Sequence, residues 1–315
     1  MIPNIDIVLA SFNGESFIEE QIKSIQDSRD YETLVSRFII VDDGSTDRTM
    51  QILSKLEASD KKIEVFVNNS KVHGPVSNFQ YGMALTTAEY IMLSDQDDYW
   101  LPDKIFNMHK EICQLSKLET ESPILVFSDL KIVDDKLNKI SCSYYKHKNI
   151  SKHWYLNFDN LIQQNVVSGC SMIFNRFLLK LAMPIPIDAY MHDWWLALVA
   201  SKFGKLHFID DTLVYYRQHN SNTIGAKSKG LKAFTIELME NIRSFQESFS
   251  KICKQAQAFE DKFSQGDAIG PMNYLTNWNE MNRYSRLKAV LARKLWRSNQ
   301  LSNLMLIYIA LNRED

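Results

Sequence analysis

Little in this sequence suits it to an oxidising compartment, a bilayer interior or a polyanion. Only four cysteines occur in 315 residues, Cys113, Cys142, Cys170 and Cys253, far apart and without CxxC spacing. That excludes a disulfide scaffold and points to a reduced, cytosolic compartment. The best apolar run, residues 304–311, falls far short of the ~20 needed to span a bilayer. The N-terminus, Met1-Ile2-Pro3-Asn4-Ile5-Asp6, lacks the basic region and long apolar stretch of a secretory leader. A net charge of −2, from 36 basic and 38 acidic residues, argues against a general nucleic-acid binder. Internal repeats and low-complexity tracts are also missing. What remains, 45% hydrophobic and 23% charged, describes an ordinary globular chain of one large or two medium domains.

The first hundred residues alternate short β-branched runs with helical stripes. Strands are expected at 5–9, 38–41, 63–67 and 90–93, and helices at 17–25, 50–56 and 78–88, with Pro102 opening another through Ile105, Met108, Ile112 and Leu115. Such alternation implies βα units and a largely parallel sheet covered on both faces. Ligands of such sheets sit at the carboxyl ends of strands. From residue 124 the pattern is mixed, with strands at 124–127, 171–174, 206–209 and 213–216 and a helix at about 192–203. Past Gly225 only helical spacing remains, through Phe234, Leu238, Ile242, Phe245, Phe249 and Ile252 and again through Tyr284, Leu287, Leu291 and Leu295, broken at 266–271.

Two polar clusters stand at expected strand ends. Asp95-Gln96-Asp97-Asp98 places three carboxylates within four residues, and their repulsion must be offset by a cation or by hydrogen-bond donors. With no His or Cys in the cluster, Mg²⁺ or Mn²⁺ fits better than zinc. The plain alternative is a solvated loop that caps the next helix. Asp42-Asp43-Gly44-Ser45-Thr46-Asp47 reads as a tight turn with capping residues, but capping leaves two acids at the strand end unexplained.

The order of motifs resembles the nucleotide-binding half of family 2 glycosyltransferases with the GT-A fold. It comprises ASFNG at 10–14, VDDGSTD at 41–47, Asn69, Gly74 and Asn78, and LSDQDDYW at 93–100. Later, His192-Asp193-Trp194-Trp195 and Tyr215-Tyr216-Arg217-Gln218-His219 are similar to two further family segments, so the resemblance covers about residues 1–225. It implies a GT-A catalytic domain over 1–225 and a helical appendage over 226–315. By the same resemblance, Ser11, Asn13, Asp42, Asp43, Asn69, Asn78, Asp95 and Arg217 serve the nucleotide of an NDP-sugar. Asp43 would read the base, Asp95 the ribose or the metal's water shell, and Arg217 a phosphate. Asp97 and His219 would hold the metal and Asp98 would orient its neighbours. Asp193 matches the general base that takes a proton from an acceptor hydroxyl. His192, Trp194, Trp195 and Gly169 fall where acceptor or sugar contacts are expected; His192 stands where many members carry Glu, and packing competes with a contact role for it. One of the two tryptophans is expected in the core. Cys170 reads as a small buried hydrophobe.

The implied activity is inverting, metal-dependent transfer to a hydroxyl of a surface glycan such as O-antigen or capsule, with dTDP-rhamnose the first donor candidate. UDP-glucose, UDP-galactose and their N-acetyl forms stay open. An NDP-sugar-forming nucleotidyltransferase would favour a glycine-rich basic loop after the first strand, and Ser11-Phe12-Asn13-Gly14-Glu15 is not one. A binding module without turnover is the remaining alternative. Six basic residues between 283 and 297, Arg283, Arg286, Lys288, Arg293, Lys294 and Arg297, with no acid among them, read as a basic amphipathic helix. It would suit peripheral contact with the inner face of the cytoplasmic membrane, as a polyprenyl-diphosphate-linked acceptor would require; a helix packed on the catalytic domain is the alternative.

Overall fold

The computed structural model describes residues 4–218, 234–263 and 270–312, with side chains of the second stretch from residue 240. Two compact units divide the chain. The first holds the sheet; the second gathers Asn149–Val166, Pro186–Tyr190 and the described residues from 234 onward.

In the sheet unit, β1 (Ile5–Ser11), β2 (Val35–Asp42), β3 (Ile63–Val67) and β4 (Tyr90–Asp95) run parallel in the order β3-β2-β1-β4. In β1, β2 and β4 the Val, Ile, Leu and Phe side chains are buried, as expected of strands covered on both faces, whereas in β3, at the end of the order, only Ile63 is. The covering helices include α1 (Ile18–Gln26), the single turn α2 (Tyr31–Leu34), α3 (Thr49–Ser59), α4 (Pro75–Leu85) and α5 (Lys104–Leu118). Helix α4 begins earlier than the apolar spacing suggested, because Gly74 at φ 106° turns the chain and Pro75 opens the first turn. It lies so close to the sheet that a Cβ on Gly82 would stand 2.4 Å from Val8 Cγ1.

The other side of the sheet is mixed. β5 (Tyr99–Trp100) pairs with β9 (Lys205–Arg217), which runs parallel to β6 (Ile124–Val133). β8 (Met172–Asn175) lies antiparallel between β4 and β6, and β7 (Lys139–Ser141) is a short partner of β6. The two strands expected at 206–209 and 213–216 are thus one. Asp210 and Asp211, between the two expected strands, are exposed residues in a stretch where the β6–β9 register shifts. Helices α6 (Tyr144–Lys148), α8 (Arg176–Ala182) and α9 (His192–Phe203) complete this unit. The core runs through Ile7, Leu9, Phe38, Ile40, Met92, Ile105, Met108 and Val126.

The second unit contains α7 (Phe158–Leu161), α10 (Phe234–Phe263), α11 (Pro271–Thr276), α12 (Arg283–Leu291) and α13 (Gln300–Leu311). Phe158 meets Phe259 and Phe249 meets Trp278, while Gln163 and Gln164 accept backbone N–H groups from Trp296 and Ser298. The basic stretch 283–297 is not the single helix expected. Helix α12 stops at Leu291, where Arg293 at φ 55° lets the Lys294 N–H reach back to the Ala289 carbonyl, a helix-closing pattern. Arg286 is buried and donates to the Trp278 carbonyl. Arg297 lies over Phe245 and is pushed down to about 10 by burial. Two of the six cations therefore serve packing. The break expected at 266–271 falls mostly outside the described residues.

Candidate active site

Three parallel strands bring their carboxyl ends into line. Ser11 of β1 is paired with Asp42 of β2, and Ala10 with Asp95 of β4, so roughly two strand spacings, about 10 Å, separate the acidic ends. At the β2 end the two acids differ. Asp42 is 1% exposed, and its Oδ1 accepts the Gly44 and Ser45 N–H groups while Oδ2 accepts the Ser11 and Ser45 hydroxyls. It builds the turn that Gly44 opens at φ 86°. Asn13, at φ 48°, accepts the Thr46 N–H at 2.8 Å, and buried Asn78 donates to the Val41 carbonyl at 2.8 Å. Ser11, Asn13, Asp42 and Asn78 therefore stitch the loops together.

Asp43 faces a different set. Its Oδ1 accepts from Asn68 Nδ2 at 3.0 Å and lies 3.0 Å from His73 Nδ1; Oδ2 accepts the Gly74 N–H at 2.7 Å. His73 is mostly exposed, so of these partners it is the one whose side chain a ligand could displace. Sequence reading missed His73, which stands in a loop with no pattern to mark it. Neighbouring Asn69 is exposed.

At the β4 end, Asp95 and Asp97 are half-buried and Asp98 is fully buried. Gln96 between them ties this end to β1, exchanging two 2.9 Å hydrogen bonds with the Phe12 backbone. Burial, then the charges of Asp98, Asp97 and Asp193, push the Asp95 carboxyl well above the usual range. Burial and the Asp97 charge raise Asp98 to about 7. One oxygen of Asp98 accepts the Arg217 N–H at 3.3 Å; the other is buried without a hydrogen-bond partner. Donor atoms of Asp95, Asp98 and Cys170 lie within 4.8 Å of one another. Burial keeps the Cys170 thiol protonated well above its usual pKa, so it stands there as a small neutral group. Among the described residues the cluster offers mutually repelling carboxylates, one orphaned oxygen and no imidazole, a set that fits a hard divalent cation, Mg²⁺ or Mn²⁺.

Asp193 opens α9. Its Oδ2 accepts the Gly169 N–H at 3.1 Å and Oδ1 the Trp194 N–H at 2.6 Å. The helix N-terminus favours the carboxylate there. Gly169 belongs to a short 3₁₀ turn, Gly169–Ser171, that leads into β8.

Other expected contacts are turned inward. Arg217 is 2% exposed, and its guanidinium donates to the carbonyls of Asp97 and Asp135 and to the Glu20 carboxylate. It braces the acidic loop, and a phosphate could reach it only by replacing one of these acceptors. Trp194 and Trp195 are 4% and 0% exposed, so neither presents a ring to a sugar; Trp195 Nε1 donates to the Ala182 carbonyl. Both pack because α9 is covered on nearly every side. His192 is also buried, stacked on Phe79 at 4.0 Å, with neither ring nitrogen hydrogen-bonded. Burial lowers its pKa to about 3, so it is neutral at physiological pH and exchanges no proton there. His219 lies outside the described residues.

The family described as "Glycosyl transferase family 2" matches residues 6–179, more than half of the chain. A dTDP-rhamnosyl transferase, RfbG, of Shigella flexneri is 28% identical over 69% of this chain and 74% of its own. An Escherichia coli UDP-Glc:alpha-D-GlcNAc-diphosphoundecaprenol beta-1,3-glucosyltransferase, WfaP, is 25% identical over 72% and 82%. Among solved structures, S. aureus TarS 1-349 in complex with UDP-GlcNAc superposes with a TM-score of 0.56 at 14% identity, covering 98% of this chain and 90% of that one. The mannosyltransferase PcManGT of Pyrobaculum calidifontis, in complex with GDP-Man and Mn²⁺, gives 0.55 at 15% identity, covering 99% and 88%. These structures share the GT-A fold, a curled and mostly parallel sheet with helices on both faces. The chain belongs to glycosyl transferase family 2: it is a GT-A glycosyltransferase acting on nucleotide-activated sugars.

Proposed function

We propose that the protein is an inverting, metal-dependent transferase that moves one sugar, rhamnose from dTDP-rhamnose in the first instance, to a hydroxyl of a surface-polysaccharide acceptor. The observation that carries this reading is the placement of Asp193, which is anchored by the Gly169 amide within electrostatic reach of the β4 acids. Asp43 accepts from the N–H of the base in place of His73. Asp97 and His219 would hold Mg²⁺ or Mn²⁺, with Asp95 at the ribose or the metal's water shell and Asp98 orienting its neighbours, and the ion's charge would offset that of a departing diphosphate. The acceptor oxygen attacks the anomeric carbon from the face opposite the diphosphate. Its proton passes to Asp193, a bond from that oxygen to the anomeric carbon forms, and the bond to the diphosphate breaks with its electron pair leaving on the diphosphate. Catalysis belongs to residues 1–225, with 226–315 as the helical region.

The donor assignment follows the Shigella relative, and a UDP-glucose reading has the glucosyltransferase relatives in its favour. A screen of nucleoside diphosphate release from dTDP-rhamnose and the common UDP-sugars, with Mg²⁺ or Mn²⁺, decides between them. Release from none of these donors, by folded protein supplied with lipid-linked acceptors, would remove the reading.

Peripheral membrane contact belongs to the same proposal. Among the described residues no helix is long and apolar enough to cross a membrane. On α13, however, Leu301, Leu304, Tyr308 and Leu311 form an exposed stripe, and Arg283, Lys288, Arg293 and Lys294 are exposed nearby in sequence. Residues 281–312 contain no acid. An apolar stripe with cations complements an anionic lipid surface, whereas pairing with a second copy would oppose like charges. A membrane would hold the enzyme beside acceptors of the undecaprenol-linked kind named for the Escherichia coli relative.

A further inference from the structure

Lys104 is 0% exposed, the first residue of α5, and lies close to the β4 acids. Burying an ammonium is costly unless its charge and its donors are met, and a methionine of similar length would fill the same space at less cost. Burial pushes the Lys104 pKa well below the usual lysine value, opposed by Cys170, Asp98 and Asp95, and Nζ is met on three sides. Nζ donates to the Cys170 carbonyl at 2.6 Å, stands 3.1 Å from the centroid of the Trp100 ring, and lies in the field of Asp98 and Asp95.

The Cys170 carbonyl belongs to the middle residue of the 3₁₀ turn whose first amide, that of Gly169, holds Asp193. The turn is therefore gripped at one residue by Lys104 and at the preceding one by the general base. It has no slack for a side chain, since a Cβ on Gly169 would meet His192 Nε2 at 2.9 Å. We infer that Lys104 is a positioning residue for Asp193: its Nζ, by donating to the Cys170 carbonyl, fixes the Gly169–Ser171 turn, so that the Gly169 amide aims the carboxylate at the acceptor. The inference rests on the assignment of Asp193 as base. It adds a buried amine donor to the site whose task is the geometry of proton transfer, separate from phosphate or metal binding.

The test is a double-substitution cycle in the full-length protein, with whichever of dTDP-rhamnose or UDP-glucose the wild type turns over. Lys104→Met should lower kcat at least tenfold while the donor KM, and calorimetric binding of dTDP or UDP with Mn²⁺, stay within threefold. In an Asp193→Asn background, adding Lys104→Met should change residual turnover less than twofold, because a base that is absent cannot be misplaced. If Lys104→Met does not fold, Lys104→Gln carries the same expectations, since it shortens the donor. An unchanged kcat would overturn the inference. So would equal loss of kcat and nucleotide affinity, or a full tenfold effect persisting without Asp193, since each describes a merely structural lysine. Wild-type turnover in Asp193→Asn alone would instead overturn the base assignment, so the two failures are distinguishable.

Discussion

Replacing His192 with Phe should make the protein less sensitive to acid. In the fold the imidazole is stacked on Phe79, sealed from solvent and held neutral, with its pKa lowered by burial to about 3. In the unfolded chain it titrates near the usual ~6.5. Between those values the unfolded state binds a proton that the folded state does not, so stability falls as pH drops below about 6.5 and the loss is complete near 3. At ~1.4 kcal/mol per pK unit the full effect is about 5 kcal/mol, of which about 2 kcal/mol develops between pH 7 and pH 5. The assay is urea denaturation of wild type and His192→Phe at both pH values, following the transition of the sheet unit. Carboxylates titrate in both proteins and cancel in the comparison, as does any repacking cost of the larger ring. The wild type should lose about 2 kcal/mol more than the variant over this interval. Equal losses would refute the reasoning and would mean that the imidazole finds a proton or a partner inside the fold.

Asp193→Asn should abolish transfer while Mn²⁺-dependent nucleotide binding stays within a few-fold; wild-type turnover in that variant would remove Asp193 as base. Asp97→Ala should weaken binding of dTDP or UDP in the presence of metal, and an unchanged calorimetric affinity would refute its role as ligand. For Gly82→Ala, the new Cβ at 2.4 Å from Val8 Cγ1 and 3.0 Å from Val41 Cγ2 forces α4 off the sheet. Overpacking of ~1–3 kcal/mol then outweighs the gain of up to ~1 kcal/mol in helix propensity, and a raised melting temperature would contradict that sign. Leu304→Glu with Tyr308→Glu should reduce cosedimentation with anionic vesicles at low salt, whereas binding equal to wild type would sink the lipid-facing role of α13.

Much of this site was legible in the order of its residues. The β-branched runs at 5–9, 38–41, 63–67 and 90–93 became β1 to β4, because short apolar segments between polar turns can be buried on both faces only as central strands. The acids at the ends of β2 and β4 came to the same edge of the sheet, on either side of β1, because all three strands run parallel. Residue identity also put three carboxylates within residues 95–98 and left 281–312 without an acid. Burial could not be read in this way, since it depends on what crosses over a residue from elsewhere in the chain. Arg217 and Trp194 looked like ligand contacts until packing enclosed them, and Asp42 and Asp43, adjacent and chemically identical, were separated only by which loops reach them. Lys104 drew no notice in the order of residues, and the carbonyl of a turn 66 residues away made it part of the site. The sequence by itself determined which groups are present and at which strand ends they gather. Only the tertiary structure decided which of them still face a ligand, because desolvation and hydrogen-bond saturation belong to the assembled surroundings and are absent from the pattern of neighbours along the chain.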